Sequence, residues 1–279
     1  MIDASRGRAT PPKPWIDDAP EPLEAADADQ GTVLWRVRTP SAGELFARRV
    51  SIPPDQATEL IRQLRQLHEV TFYNAESVVG ASQQQDSVWI LLDPVASCTL
   101  GRLLASADAS VGQRAILVLD LVAGLAELHA AGVGIARLTE RTVIVDTAGR
   151  LRLAEPWRLP GESVDRADEV RRACELACRI LGVGLRPGGG LTPAEQQAPA
   201  LVAVARSLAG GSASRASDAF QALREAAGWL GQKENLEPSR SELSRLVKSL
   251  SGPTPASATT AQPQPQPRPQ AQPQPPQPP

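Results

Sequence analysis

The chain has 279 residues, of which 42 % are hydrophobic, and its formal net charge is −2. This length and apolar content can bury a core for one large domain or two small lobes. The basic residues are scattered rather than clustered, so we predict no nucleic-acid partner. The sequence has no apolar run long enough to span a membrane, no basic-then-apolar signal peptide and no CxxC pair among its three cysteines. We therefore expect a cytoplasmic protein.

The first part of the chain combines prolines with acidic residues, and we predict a flexible leader over 1–25. A β-rich lobe is predicted over 26–95, with turn-forming residues at 39–43 joining its first two strands. Its helix is amphipathic and follows a Pro-Pro break. The predicted strands of this lobe cover 32–37, 44–50, 77–81 and 87–92. The predicted helix covers 55–67, between the second and the third strand.

A mainly helical lobe is predicted over 96–230, and a short hairpin over 142–154 interrupts it. Cys174 and Cys178 lie four residues apart on one of its apolar helices, where we expect them to pack as small hydrophobic side chains. An amphipathic extension follows over 231–250, with Ser239 and Glu242 spaced as a capping box. The residues 251–279 are rich in Pro and Gln and are predicted to be disordered. The helices are predicted over 100–105, 113–131, 168–181, 194–209, 217–229 and 239–250.

Five segments in order resemble motifs of the Ser/Thr protein kinases. GELFARRV resembles the third strand of the small lobe, WILLDPV the strand that enters the hinge, and LHAAGV the end of the helix before the catalytic loop. DEVRRACELACRILG is similar to a large-lobe helix, and Arg215 lies where the family has a late structural arginine. The resemblance covers about residues 26–229 and implies an α+β, bilobal, protein-kinase-like fold.

The residues that would hold phosphate depart from the kinase pattern. The glycine-rich loop falls on Ala26–Val33, where only Gly31 remains and two aspartates would repel a polyanion. The phosphate-binding lysine is replaced by Arg49, whose planar guanidinium does not mimic a compact ammonium. Its glutamate partner aligns with the uncharged Gln63, or with Glu59 after a shift of one turn. The resemblance therefore implies that the activating ion pair is lost.

The catalytic positions depart further. The proton-accepting aspartate of the catalytic loop is replaced by Arg137, which has no acceptor and cannot act as a base. The metal-binding asparagine becomes Thr142, and the metal-binding aspartate becomes Glu155 in Glu155-Pro156-Trp157. Glu155 keeps a carboxylate, so weak binding of ATP and Mg²⁺ is an alternative, although we expect no cofactor and predict no metal site. Trp157 is predicted to fold back into the nucleotide space.

Two further kinase positions are expected to keep structural roles. Asp168 would hydrogen-bond the backbone of the catalytic loop, and Arg215 would need a new partner, such as Glu162, because the segment after Glu155 is short. His129 is expected to be a buried, hydrogen-bonded residue at a helix end rather than a catalyst.

These departures predict a pseudokinase, a catalytically inactive module that acts as a regulatory scaffold for protein partners. An atypical ATP-binding enzyme and an adaptor acting through the Pro-rich tail are the alternatives. The composition, rich in Ala, Arg and Pro and poor in Lys, suggests a high-GC bacterium, and the pattern resembles the kinase-like domain of the MviN lipid-flippase family of actinobacteria. That resemblance implies a role in peptidoglycan precursor export at the inner face of the membrane, a flippase as partner, and a forkhead-associated domain that binds a phosphothreonine. The candidate phosphosites in the tail are Thr254, Thr259 and Thr260.

Overall fold

A computed structural model describes residues 14–27, 33–106, 109–135, 137–162, 165–185, 191–228 and 232–251. Gly31, Ala136 and the tail threonines Thr254, Thr259 and Thr260 lie outside these residues. None of the helices described there is long and apolar enough to cross a membrane.

The small lobe is a five-stranded antiparallel sheet with one helix packed against it. The strand order β1-β2-β3-β5-β4 places β3 at the centre, between the hairpin partner β2 and the strand that enters the second lobe. The helix α1 buries its apolar stripe, Leu60, Leu64 and Leu67, in the core. The elements are β1 (Glu21–Asp27), β2 (Leu34–Thr39), β3 (Gly43–Ser51), α1 (Pro54–His68), β4 (Val78–Gln84) and β5 (Ser87–Leu92).

The predicted flexible leader over 1–25 is wrong for its second half. Glu21–Asp27 forms β1, which pairs with β2 along its length, and Ile16 bridges the edge strand β4. The Ile16 N–H donates to Val79 O over 3.1 Å, and Gly80 permits this approach because a Cβ there would lie 2.2 Å from Ile16 O. The acidic, proline-bearing composition of this segment predicted no regular structure. The segment is nevertheless ordered, because it pairs with strands that lie further along the chain.

The large lobe is built around one buried helix, α3. Apolar residues cover most of its circumference, and α4, α7 and α8 pack against it. The strand β8 of a three-stranded sheet, β6-β7-β8, also contacts it. The elements are β6 (Ser97–Thr99), α2 (Leu100–Ser106), α3 (Val111–Ala130), β7 (Val143–Asp146), β8 (Leu151–Leu153), α4 (Arg166–Leu181), α5 (Pro193–Gln197), α6 (Pro199–Ala209), α7 (Ala216–Ala227) and α8 (Lys233–Leu250).

Two predicted helices differ from the observed ones. The helix predicted over 194–209 is split into α5 and α6, because Pro199 has no N–H to continue the first helix and begins the second. The helix predicted to begin at Ser239 instead begins at Lys233 and runs through Pro238, so the proposed capping box is wrong. Glu242 Oε2 accepts a hydrogen bond from Gln113 Nε2, which ties α8 to α3.

The loop before β4 joins the two lobes. Glu127 of α3 accepts hydrogen bonds at Oε2 from the N–H groups of Tyr73 (3.0 Å) and Asn74 (3.1 Å). Asn74 in turn donates from Nδ2 to Leu151 O and accepts at its carbonyl from Leu153 N, so it pairs with β8. Gly124 makes the contact close, since a Cβ there would lie 2.6 Å from Asn74 O. These bonds attach the loop before β4 to α3 and β8 of the large lobe.

Candidate functional site

The cleft between the lobes receives an arginine from β3, but not the one that the sequence indicated. Successive side chains of a strand point to opposite faces of the sheet. Arg48 is 1 % exposed and points into the cleft. Arg49 is exposed on the other face, where its Nε donates to Ser87 Oγ and its guanidinium lies 5.9 Å from the Trp89 ring centroid. The assignment of Arg49 to the lysine position is therefore wrong by one residue.

Two carboxylates from opposite lobes meet Arg48. Its Nη2 lies 3.4 Å from Glu76 Oε1, and its Nη1 lies 3.3 Å from Glu155 Oε1. The N–H of Glu155 also donates to Glu76 Oε2 over 3.1 Å. We call these three residues the cleft triad. It places one buried cation between two nearly buried anions, so each charge has an opposite charge beside it.

The predicted partners on α1 do not reach the cleft arginine. Gln63 Nε2 donates to Glu59 Oε1, and Glu59 also binds the neighbouring Arg62 on the helix surface. Hydrogen bonds from Arg62 and Gln63 lower the pKa of Glu59 to about 2. Both sequence-based candidates are thus wrong, because the cleft carboxylate comes from Glu76, in the loop that joins the lobes.

Thr142 and Arg137 form the ends of one hydrogen-bonded turn. Thr142 is 6 % exposed, and its Oγ1 donates to Arg137 O over 3.0 Å and accepts from Thr139 N over 2.9 Å. The Thr142 hydroxyl therefore uses its hydrogen bonds within the loop. Arg137 is exposed beside the cleft.

The buried carboxylate under this loop is Glu169, and not Asp168. Glu169 is 1 % exposed and accepts hydrogen bonds from the backbone N–H of Ile135 and from His129 Nε2, the latter over 2.6 Å. Asp168 lies on the other side of α4, where Arg171 and Arg172 bind it and keep its carboxyl pKa below the ordinary value. The amphipathic pattern of α4 carried this signal, because Asp168 shares a polar face with Arg171, Arg172 and Glu175.

Arg215 is exposed at the start of α7. The suggested pair with Glu162 is wrong within the described part of the chain, since Glu162 Oε2 accepts a hydrogen bond from Leu159 N instead. Within the same part of the chain, no group of three His, Cys, Asp or Glu side chains could hold a metal ion.

Two cavities open in the cleft. The inner cavity, on the hinge side, has a volume of only about 20 Å³ and is lined by Leu34, Phe46, Arg48, Leu92 and Ile144, among others. The outer cavity has a volume of about 190 Å³ and is lined by Val50, Ser51, Arg137, Glu155, Trp157, Arg158, Leu159 and Glu162. Trp157 is buried and lines the outer cavity, whereas Phe46 lines the inner one. Phe46, which shares the cleft face of β3 with Arg48, was not among the candidate residues that the sequence indicated.

Neither a family model nor a curated protein matches the sequence. Solved structures do match. The kinase domain of Mycobacterium tuberculosis PknI, in a cysteine-to-alanine mutant, has a TM-score of 0.58 and 15 % sequence identity, over 79 % of this chain and 100 % of that one. A second structure of the PknI kinase domain has a TM-score of 0.57 and 16 % identity over the same shares.

The chain has a protein-kinase-like fold. At this level of identity the match concerns the fold alone. Within the kinase-like fold, the lobes on either side of the cleft are those that the sequence motifs indicated, with a β-rich small lobe and a mainly helical large lobe.

Proposed function

We propose that this chain is a pseudokinase that acts as a regulatory binding module and transfers no phosphate. The cleft triad carries the proposal. Kinase catalysis depends on a cation that contacts the nucleotide phosphates and on carboxylates that hold Mg²⁺. Here Glu155, the one carboxylate that the sequence motif offers to a metal, is bound to the cleft cation Arg48, so the two groups engage each other instead of a metal and a phosphate.

The size of the cleft supports the same proposal. Pockets for small molecules typically have volumes of about 300–1,000 Å³. The inner cavity of about 20 Å³ has room for about one water molecule, and even the outer cavity of about 190 Å³ is below that range. A nucleotide would therefore need Phe46 and Arg48 to move before it could enter.

The residues around the position of the catalytic base also support the pseudokinase proposal. Arg137 stands where the motif requires a proton acceptor, and Thr142 uses its hydroxyl within the loop. Single electrostatic groups at an active site commonly contribute about 10²-fold or more to the rate. The exchange of several such groups at one transition state would remove most of the rate acceleration.

The test combines nucleotide binding with catalysis. We expect millimolar ATP with Mg²⁺ to leave the melting temperature of the full chain unchanged, because a ligand that does not bind the folded state does not stabilise it. We also expect no transfer of labelled phosphate to the chain itself or to a general protein substrate, with an active protein kinase as the positive control. A Mg²⁺-dependent rise in melting temperature accompanied by transfer would instead establish the atypical ATP-using enzyme.

The partners and the cellular role are a further part of the proposal. We place the module in peptidoglycan regulation at the inner face of the membrane, with an MviN-type flippase and a forkhead-associated domain as partners, on the sequence resemblance alone. Replacement of Thr254, Thr259 and Thr260 by alanine should abolish binding of a forkhead-associated domain to the phosphorylated chain. Binding retained by that variant would contradict the assignment of the phosphosites, and loss of all partners on deletion of 251–279 would favour the tail adaptor.

A further inference from the structure

The outer cavity combines an apolar wall with two arginines from separate loops. Trp157, Leu159 and Val50 supply the apolar surface, whereas Arg137 and Arg158 supply guanidinium groups. Arg137 comes from the turn before β7, and Arg158 from the segment after Glu155. The cavity is thus formed where these two segments meet the end of β3.

The charges on this cavity are unevenly compensated. Its two carboxylates already have partners, since Glu155 pairs with Arg48 and Glu162 accepts a hydrogen bond from Leu159 N. In the part of the chain that the structure describes, neither Arg137 nor Arg158 forms an ion pair. By contrast, other arginines around the cleft do pair, as Arg152 does with Asp146 over 2.7 Å. The cavity therefore presents two arginines that form no ion pair in this part of the chain, together with the Glu162 carboxylate, whose hydrogen bond from a backbone N–H leaves its negative charge in place.

These features match one kind of ligand. Arginine forks bind phosphate by paired, charge-assisted hydrogen bonds, which are stronger than neutral ones. The volume of about 190 Å³ suits a single side chain rather than a drug-sized molecule. A cavity that has apolar side chains next to two guanidinium groups suits a ligand with aliphatic carbon atoms and a terminal anionic group.

We infer that the outer cavity binds the phosphate monoester of a phosphorylated side chain on a partner protein. This inference rests on the proposed function, because a cleft that does not hold ATP leaves this space free for a partner. It assigns Arg137 a binding role at the position where a kinase has its base. Arg158 is the second phosphate-binding residue, and Glu162 weakens binding by its negative charge.

The probe is a short alanine-rich peptide with one central phosphoserine, and its binding to the full chain is measured by isothermal titration calorimetry. The unphosphorylated peptide and inorganic phosphate serve as separate arms. We expect the phosphopeptide to bind and the unphosphorylated peptide not to bind. Arg137→Gln and Arg158→Gln should each weaken binding about tenfold or more, because each removes charge-assisted hydrogen bonds. Glu162→Gln should strengthen binding several-fold.

Arg141→Gln is the matched control, because Arg141 is exposed in the same turn as Arg137 but does not line the cavity. It should leave the affinity unchanged. Absence of phosphopeptide binding, or equal weakening by Arg141→Gln and Arg137→Gln, would overturn the inference. Inorganic phosphate that binds as tightly as the phosphopeptide would overturn the assignment to a partner protein.

An ATP arm separates this inference from the proposed function. Phosphopeptide binding together with Mg²⁺-dependent stabilisation by ATP and phosphate transfer would contradict the pseudokinase and leave the phosphate site intact. No binding of the phosphopeptide together with no effect of ATP would overturn the phosphate site and leave the pseudokinase intact.

Discussion

Arg48 and Glu155 join the two lobes through a contact of 3.3 Å between Nη1 and Oε1, and Arg48 is almost fully buried. Arg48 belongs to the central strand of the small lobe, while Glu155 directly follows the hairpin of the large lobe. Glu155 has a φ of 55°, in the left-handed region that non-glycine residues seldom adopt, and its N–H is held by Glu76. The backbone conformation of Glu155 therefore lets its N–H bond to Glu76 while its side chain contacts Arg48.

Removal of the buried cation should destabilise the protein strongly. In Arg48→Met, Glu76 and Glu155 lose their shared counter-ion, and the loss of one partner of a buried pair costs about 3–5 kcal/mol of unfolding free energy. Urea denaturation followed by circular dichroism measures this change. The adjacent Arg49→Met is the control and should have a much smaller effect, because Arg49 is exposed. Equal losses in the two variants would contradict the assignment of Arg48 to the cleft.

Glu169, the buried carboxylate of α4, should contribute more to the free energy of unfolding than its neighbour Asp168. Glu169→Gln weakens the bonds to the Ile135 N–H and to His129, and we expect a loss of about 1.5–3 kcal/mol of unfolding free energy. Asp168→Asn should leave the urea midpoint almost unchanged, because its partners lie on the surface of the same helix. The opposite ranking of the two variants would show that Asp168 holds the loop.

The hydrogen bonds that join α8 to α3 and to the hairpin through Arg240 should contribute measurably to the free energy of unfolding. Arg240 donates to both carboxylate oxygens of Asp120, over 2.8 and 3.0 Å, and to Gly149 O. Arg240→Ala should cost about 1.5–3 kcal/mol of unfolding free energy, because Asp120 is nearly buried and loses its charged partner. Arg245→Ala, on the exposed side of α8, is the control. Hydrogen exchange should also increase in β7 and β8, and unchanged exchange there would mean that α8 does not support the hairpin.

Alkaline pH should destabilise the fold through its buried thiols. Burial raises the pKa of Cys98 from an ordinary 9.0 to about 11 and that of Cys174 to about 12, and it also raises the pKa of Cys178. Above pH 9 the thiols of the unfolded chain lose protons while those of the folded protein keep them, so the free energy of unfolding falls as the pH rises from there towards the folded pKa values. Below pH 9 this contribution is fully present.

Urea midpoints measured between neutral pH and pH 10 provide the test. A variant with Cys98→Ala, Cys174→Ala and Cys178→Ala is the control, and it should lose less stability over this range than the natural chain. Thiol reagents should also react slowly with the folded protein, because all three cysteines are buried. Equal alkaline losses in both proteins would attribute the effect to other groups.

Much of the fold could be predicted from local sequence. The alternation of β2 and β3 around the turn at 39–43, the apolar stripe of α1 and the long apolar α3 are local patterns, and each element lies within a few residues of its prediction. The strand β1 could not be found in this way, because its order depends on pairing with β2. The contact of Glu76 with Arg48 could not be predicted from local sequence either, because it forms only when the loop before β4 packs on β8.

The sequence by itself determined the order of the elements apart from β1, β6 and the break between α5 and α6. It also determined the exchange of residues at the catalytic-loop motif, where Arg137 and Thr142 can be read directly. Only the tertiary structure decided which of two similar neighbours enters the site. Arg48 and Arg49 are chemically alike, and Asp168 and Glu169 nearly so, but a strand turns adjacent side chains to opposite faces and a helix separates them by about 100°. Contact between the lobes selected Arg48, and packing of α4 within the large lobe selected Glu169, because each places its charge beside a buried partner and leaves its neighbour at the surface.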